Sequence, residues 1–401
     1  MSLQLHKTKT VGRSASLETP LFSRRPKVLH VGKFYPPHMG GIETHLQALS
    51  EQLIGSLDLN VLVASDCRRQ AREVLAGVRV LRVATPLTLF STPLCPALIS
   101  AIRASDAELL HIHLPNPTAV MAYLASGHRG RLVFTYHSDT VRQRVLGSLF
   151  EPFLHAALRR SSAIIATSPN YLETSQVLQA HRDRCHVIPY GIDTGQFQYC
   201  SPGSVARLRQ QYGDRVVLAV GRLVYYKGFE YLIRAMKDVR GKLVLVGDGP
   251  LRGHLENLAS QLGVTEKVVF AGEIHNANVV PYYHATDIFA LPSVARSEAF
   301  GIVQIEAMAA GLPVVNTSLD SGVPFVSVHK ETGLTVPPAD VPALADALNR
   351  LLDDVDLRKS LGQAGRLRAQ QEFNSKTMAS RTLRLYQTVI AGTDPAPSDG
   401  R

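Results

Sequence analysis

Residues 297–311 read Ser297-Glu298-Ala299-Phe300-Gly301-Ile302-Val303-Gln304-Ile305-Glu306-Ala307-Met308-Ala309-Ala310-Gly311, followed by Leu312-Pro313-Val314-Val315. The spacing predicts a helix over 302–310 and a strand over 313–316. Glu298 precedes the helix and Glu306 sits inside it. Phe300, Gly301 and Ile302 form the helix N-terminus, where free backbone N–H groups and the positive end of the dipole favour an anion. A carboxylate on either side of such an anion site is placed to hydrogen-bond hydroxyl groups. Two glutamates eight positions apart also occur on ordinary surface helices, so the weight rests on the whole string.

Outward from this stretch the pattern is regular. Towards the C-terminus, residues 339–353 and 356–371 read as amphipathic helices, and a last helix covers about 375–390. Towards the N-terminus, short apolar runs at 216–220, 243–247, 267–270 and 287–291 alternate with helical stretches at 229–239, 251–262 and 278–285. A first series precedes them, with apolar runs at 28–31, 60–64, 79–83, 109–113, 132–136 and 163–167. Strands alternating with helices indicate parallel sheets covered on both faces. The series restarts after the strand at 185–189. Pro202 and Gly203 then read as part of a linker. The expected layout is a disordered tail at 1–26, an α/β domain at 27–195 and a second at 196–374. A helix at 375–392 is expected to pack back on the first domain, ahead of a frayed tail at 393–401. Both domains are doubly wound and Rossmann-like, facing a central cleft, and ligands in such sheets sit beyond the carboxyl ends of the strands.

Composition narrows the class. The chain has 401 residues, 45% of them hydrophobic and 19% charged, which is enough apolar material for two cores. Its formal net charge of +10 raises the prior for an anionic partner. Four cysteines, Cys67, Cys95, Cys185 and Cys200, show no C-x-x-C spacing and read as reduced thiols. No signal-peptide core is present near the N-terminus, and no apolar run approaches the roughly 20 residues a spanning helix needs. A cytoplasmic location is expected. No metal-binding cluster is visible in the sequence.

Three further segments follow predicted strands. Val220-Gly221-Arg222-Leu223-Val224-Tyr225-Tyr226-Lys227-Gly228 offers two cations five residues apart, suited to holding an anion. Lys33 to Gly41 carries two prolines and then Gly40-Gly41, which admit close approach of a ligand to the backbone. Thr135-Tyr136-His137-Ser138-Asp139 places a lone histidine after a strand. A pair of loop cations, a plain turn and a structural histidine are the ordinary readings of each segment in isolation.

The 297–311 string resembles the signature of the retaining glycosyltransferases of family 4, which have the two-domain GT-B architecture. The resemblance extends from Lys27 to about Ile390. It implies that Glu298 contacts the sugar of a nucleotide-sugar donor and that Glu306 binds the ribose hydroxyls. The N–H groups of Phe300, Gly301 and Ile302, together with Ala299, would bind diphosphate and sugar. It assigns Arg222 and Lys227 to the diphosphate and the Gly40-Gly41 loop to the same group. His137 would position the sugar, its backbone carbonyl stabilising a cationic transition state. Gly247 and Ile274, on turns after strands, would lie near the nucleotide. Asp139 and Arg142 are weaker candidates for acceptor or sugar contacts. No metal or other cofactor is expected.

Asn316 to Pro324 departs from the Gly-Gly-x-x-Glu pattern of many members. It resembles instead a bacterial subgroup associated with mannosyl transfer in surface-polysaccharide assembly. The resemblance thus implies a hexosyl transfer, mannosyl from GDP-mannose or a hexose from a UDP-sugar, to a glycan or lipid-linked acceptor. Residues 141–160 carry Val145, Leu149, Phe153 and Ala157 at four-residue spacing, with arginines near both ends. The ordinary reading is a helix packed on its own sheet. A basic amphipathic helix also suits peripheral contact with an anionic membrane surface. Two rival readings are an epimerase of similar architecture and a non-catalytic anion- or nucleic-acid-binding protein. Against the second, the cations are spread out, aromatics are 6% and tryptophan is absent, so no nucleic-acid partner is expected.

Overall fold

The computed structural model describes residues 22, 24–38, 40–65, 68–89, 92–139, 144–274 and 276–393. Two separate sheets account for the two series of apolar runs. The first has eight strands in the spatial order Cys185–Val187, Ala163–Ala166, Arg131–Tyr136, Leu109–Leu114, Lys27–Val31, Asp58–Ala64, Val78–Val83, Ala71–Leu75. All neighbours are parallel except the last pair, where Ala71–Leu75 runs antiparallel to Val78–Val83. The second has six parallel strands in the order Val268–Gly272, Lys242–Val246, Val216–Val220, Ile288–Leu291, Val314–Thr317, Gly333–Val336. Within that half the order is 3-2-1-4-5-6, the doubly wound arrangement.

Central strands such as Leu109–Leu114 and Ile288–Leu291 are buried along their whole length. Helices cover both faces, so these strands are buried on both sides instead of alternating between core and solvent. A two-stranded hairpin, Leu87–Leu89 with Thr92–Leu94, stands apart from both sheets.

The chain crosses between halves twice, at 190–193 and 373–375. The crossings are stitched together, the Ile192 amide donating to Phe373 O at 2.9 Å and the Ser375 amide to Ile192 O at 2.8 Å. The helix Ser375–Ala391 then lies against the first half. Met378, Leu383, Leu385, Tyr386 and Val389 share a core with Val28, Leu49, Leu53, Leu109 and Val133. This helix is an integral wall of the N-terminal core.

Two sequence expectations are corrected. Pro202 and Gly203 do not form a linker but open the helix Pro202–Tyr212. Proline at the first helical position loses no hydrogen bond, because that N–H has no intrahelical acceptor. The last residues of the expected N-terminal tail are ordered. Phe22 packs on the N-terminal core, and the Arg24 guanidinium donates to both oxygens of Glu108, at 2.7 and 2.5 Å. Among the described residues Cys95, Cys185 and Cys200 are free thiols; Cys67 lies outside them.

Candidate active site

The topology places the functional loops. In the C-terminal half the strand order reverses between Val216–Val220 and Ile288–Leu291. Loops leave a switch point in opposite directions and open a crevice at the carboxyl ends of its strands. The first loop carries Gly221 to Gly228 and the second carries Pro292 to Gly301. In the N-terminal half the equivalent reversal lies between Lys27–Val31 and Leu109–Leu114, and His137 follows the next strand. The two crevices face each other across a cleft of about 370 Å³. Gly41, Ile42, His137, Ser138 and Tyr190 line one side; Tyr226, Lys227 and 297–303 line the other. A larger cavity of about 750 Å³ beside Asn60, Arg72 and Ser105 contains none of the motif residues.

Within the cleft, the Lys227 ammonium lies 2.6 Å from Glu298 Oε2. Both side chains are about nine-tenths buried. Ser293 Oγ donates to the same carboxylate oxygen at 3.2 Å. A buried ion pair is costly to split by removing one partner, since the other is left desolvated, at about 3–5 kcal/mol. An anionic ligand that takes over the lysine therefore substitutes for the glutamate rather than adding to it.

The helix Ile302–Ala310 begins at the cleft, with Gly301 as its cap in the left-handed region at φ 75°. A Cβ on Gly301 would meet Leu291 Cδ2 at 2.6 Å, so only glycine fits this approach of loop to strand. The amides that open the helix have no intrahelical acceptor and point along its axis into the cleft. Phe300 is buried edge-on to Tyr190 of the crossing segment, with ring centroids 4.8 Å apart. Ala299 packs against the N-terminal core. Gly41 faces this helix start, since a Cβ there would lie 3.8 Å from Ile302 Cδ1. Gly40 caps the helix Gly41–Leu53, with the Glu43 carboxylate folded back over it.

His137 is buried, and both of its ring nitrogens are already engaged by neighbouring side chains. Nδ1 meets Tyr190 Oη and Nε2 meets His113 Nδ1 at 3.1 Å. What remains for a ligand is the ring edge and the backbone. Asp139 is fully occupied. Its Oδ1 accepts from Tyr136 Oη and Ser175 Oγ, each at 2.8 Å, and its Oδ2 accepts from Arg296 at 3.1 Å. It links the two halves instead of presenting a free carboxylate. Arg142 lies outside the described residues.

Five expected donor-site residues are not among those lining the cleft: Gly40, which caps the helix Gly41–Leu53, and four in the C-terminal half. Arg222 is exposed, five positions before Lys227 on the same loop. Gly247 packs on the backbone of Gly221, where a Cβ would come within 2.0 Å of Gly221 O. Ile274 packs at the edge of the C-terminal core. Glu306, one turn into the helix, accepts a hydrogen bond from Tyr283 Oη at 2.6 Å. Burial holds its carboxyl above the usual carboxylate range, partly offset by the Tyr283 hydroxyl and by Lys227.

Two features were missed in the sequence. Arg296, immediately before the 297–311 string, reaches across to Asp139, to Thr174 O at 3.2 Å and to the face of Tyr171 at 5.6 Å. The second is a buried group of five histidines, His30, His45, His111, His113 and His137, behind the cleft. Ring nitrogens of His30, His111 and His113 lie within 4.8 Å of one another, as do those of His45, His113 and His137. The signal available was His111-Ile112-His113 on a strand that is otherwise apolar.

With this geometry established, comparison with known proteins is informative. Residues 205–368 match the family model for glycosyl transferases group 1, and residues 39–196 match that for glycosyltransferase family 4. O-antigen chain mannosyltransferase C of Escherichia coli is 31% identical over 91% of this chain and 99% of its own length. The GDP-mannose-dependent alpha-(1-6)-phosphatidylinositol monomannoside mannosyltransferase of Mycolicibacterium smegmatis is 33% identical over 89% and 97%. Among solved structures, sucrose-phosphate synthase from Thermosynechococcus elongatus superposes with a TM-score of 0.79 at 27% identity, over 92% of this chain and 100% of that one. The fold, the facing switch-point loops and these matches agree: the chain belongs to the family 4, group 1 glycosyltransferases and has their two-domain GT-B fold.

Proposed function

We propose that this glycosyltransferase moves a mannosyl group from GDP-mannose to a glycan or lipid-linked acceptor, with retention of anomeric configuration and without a metal ion. The observation that carries the reading is the convergence of the Lys227–Glu298 pair and the N-terminus of the helix Ile302–Ala310 on one cleft, opposite His137 and Gly41. The donor's diphosphate would take the Lys227 ammonium and the helix amides, with Arg222 adding charge from the same loop. Glu298, released from Lys227, would accept hydrogen bonds from sugar hydroxyls. Glu306 would bind the ribose.

None of the cleft side chains needs to act as a nucleophile on this reading. The departing phosphate takes the acceptor's proton on the same face from which it leaves. The positive helix end and Lys227 stabilise the leaving charge where water is excluded. The backbone carbonyl of His137 lies on the side where positive charge develops. The mannosyl assignment rests on the mannosyltransferase relatives and on the Asn316–Pro324 segment. Membrane contact is supported by Leu149 and Phe153, which are exposed on the helix Arg144–Arg159. The same helix packs Phe150, Leu154 and Leu158 on the core, so Leu149 and Phe153 lie off its packed side.

The test is donor binding and slow donor hydrolysis across GDP- and UDP-sugars, with and without EDTA, in the wild type and Glu298→Ala. GDP-mannose turnover that survives chelation and is lost in Glu298→Ala is the expected result. Turnover only with a UDP-sugar replaces the donor assignment, and loss of activity on chelation overturns the metal-independent step.

A further inference from the structure

The five buried histidines are not an accident of composition. Parallel register pairs His30 with His111 and His113 with Thr135 across three adjacent central strands. Side chains two apart on a strand share a face. His30, His111, His113, Thr135 and, just beyond the strand end, His137 therefore line one face. The helix Ser375–Ala391 adds Tyr386 from above, and Tyr190 comes from the crossing between halves.

These groups form one continuous hydrogen-bonded chain. Thr135 Oγ1 meets His111 Nε2 at 2.7 Å, and His111 Nδ1 meets Tyr386 Oη. Tyr386 Oη meets His30 Nε2 at 2.9 Å, and His30 Nδ1 meets His113 Nε2 at 3.3 Å. His113 Nδ1 meets His137 Nε2 at 3.1 Å, and His137 Nδ1 meets Tyr190 Oη. Tyr190 in turn packs on Phe300 of the signature loop.

A neutral imidazole has one N–H and one acceptor nitrogen. Each link needs one proton between its two atoms. Tyr386 must donate to one histidine and accept from the other. Once that choice is made, every other proton in the chain is assigned. Only two fully satisfied arrangements exist: all four rings carry the proton on Nε2, or all four carry it on Nδ1. Any other arrangement leaves a buried link with no proton or with two, or leaves the Tyr386 hydroxyl proton without an acceptor, and an unmet buried polar group costs about 1–3 kcal/mol.

We propose that His113, His30, Tyr386 and His111 are positioning residues that fix the ring orientation and tautomer of His137 at the wall of the donor cleft. The C-terminal helix supplies the central link. The inference rests on the transferase reading only for its effect on catalysis; the coupled tautomers stand without it. A transition-metal site is the competing use of the same residues, because His45, with both ring nitrogens buried and unpartnered, lies beside His113 and His137. It is disfavoured because the facing nitrogens of His113 and His137 already bond each other.

The test begins with ring nitrogen NMR of the full-length wild type, labelled with ¹⁵N-histidine and needing no substrate. The expected spectrum shows His30, His111, His113 and His137 as neutral rings with the same protonated nitrogen. A mixed set of tautomers among the four overturns the proposal. So does stoichiometric binding of added Zn²⁺ that shifts His113 and His137, since ligation would consume the linking nitrogens. In Tyr386→Phe the His137 tautomer signal is expected to become mixed. If the transferase reading holds, kcat then falls roughly tenfold or more with donor KM nearly unchanged, a factor of ten being about 1.4 kcal/mol in the barrier. A Tyr386→Phe protein that melts earlier but keeps the His137 signal and kcat would leave Tyr386 a purely structural role and sink the positioning claim. Should that variant fail to fold, the wild-type spectrum still decides. Absence of turnover with every donor, beside uniform tautomers, would count against the transferase mechanism alone.

Discussion

At the residue scale, burial decides what charge each group carries. Burial lowers His30 and His45 to about 3 and holds His111, His113 and His137 well below the ordinary histidine value, with neighbouring imidazoles adding to the effect at all but His45. Among the described residues the groups facing them are other imidazoles, the Thr135 hydroxyl and the phenols of Tyr190 and Tyr386, and no carboxylate rewards protonation. In the unfolded chain these histidines titrate near 6.5. Below that pH the unfolded state binds protons that the folded state refuses, so stability falls as pH drops from about 6.5 towards 3. Each such histidine contributes a slope of about 1.4 kcal/mol per pH unit. Urea midpoints measured at pH 7.5, 6 and 5 are expected to decline steeply through the last interval. A flat profile would show that the cluster is hydrated or charged when folded. His137 was singled out by its place after a strand together with the family resemblance. His111 and His113 left a signal in an otherwise apolar strand, whereas nothing local marks His30 or His45 as part of the same group.

At the scale of elements, the helix Ile302–Ala310 lies where its sequence predicts it. Its apolar residues pack inward, its N-terminus opens on the cleft, and Gly311 ends it in the left-handed region. Gly301 is the position where loop, helix and strand are tightest. Gly301→Ala forces a side chain into positive φ and drives Cβ against Leu291 and against Gln304 Nε2 at 2.8 Å. The expected cost is roughly 1–3 kcal/mol of stability, and the displaced amides should weaken nucleotide binding. Denaturant midpoints and nucleotide titration check both effects; unchanged affinity would show that the helix N-terminus is not where the anion binds. Element existence was readable because these strands and helices are strongly patterned. The start at Pro202 was misread because proline breaks a helix interior but suits its first position. The antiparallel edge strand Ala71–Leu75 carried no such pattern, being largely exposed.

At the scale of the molecule, the two halves meet through a small number of specific contacts around the cleft. Arg296 of the C-terminal half holds Asp139 and Thr174 of the N-terminal half, and the Thr174 hydroxyl is 3.1 Å from Asp320 O. The pair is partly exposed, so its electrostatic contribution is screened by solvent. Its position beside the signature loop gives it leverage over closure. Arg296→Ala is expected to increase the radius of gyration in small-angle scattering and to raise donor KM several-fold. Unchanged scattering would mean that the apolar contact of Phe300 with Tyr190 and the stitched crossings suffice. Among the described residues no helix is long and apolar enough to cross a membrane.

By itself the sequence determined the class of fold, the restart of the strand–helix series, most of the loops that border the cleft and the family. Those features are local: hydrophobic period, turn residues and a contiguous motif are written in neighbouring positions. Tertiary structure alone decided which loops share a cleft, that Lys227 and Glu298 neutralise each other, and that Asp139 is held by Arg296. It also decided that histidines on three strands and a tyrosine from the last helix form one chain. His30 and Tyr386 stand 356 positions apart. Their meeting depends on strand register and on how the C-terminal helix returns to the first core, and long-range packing fixes both.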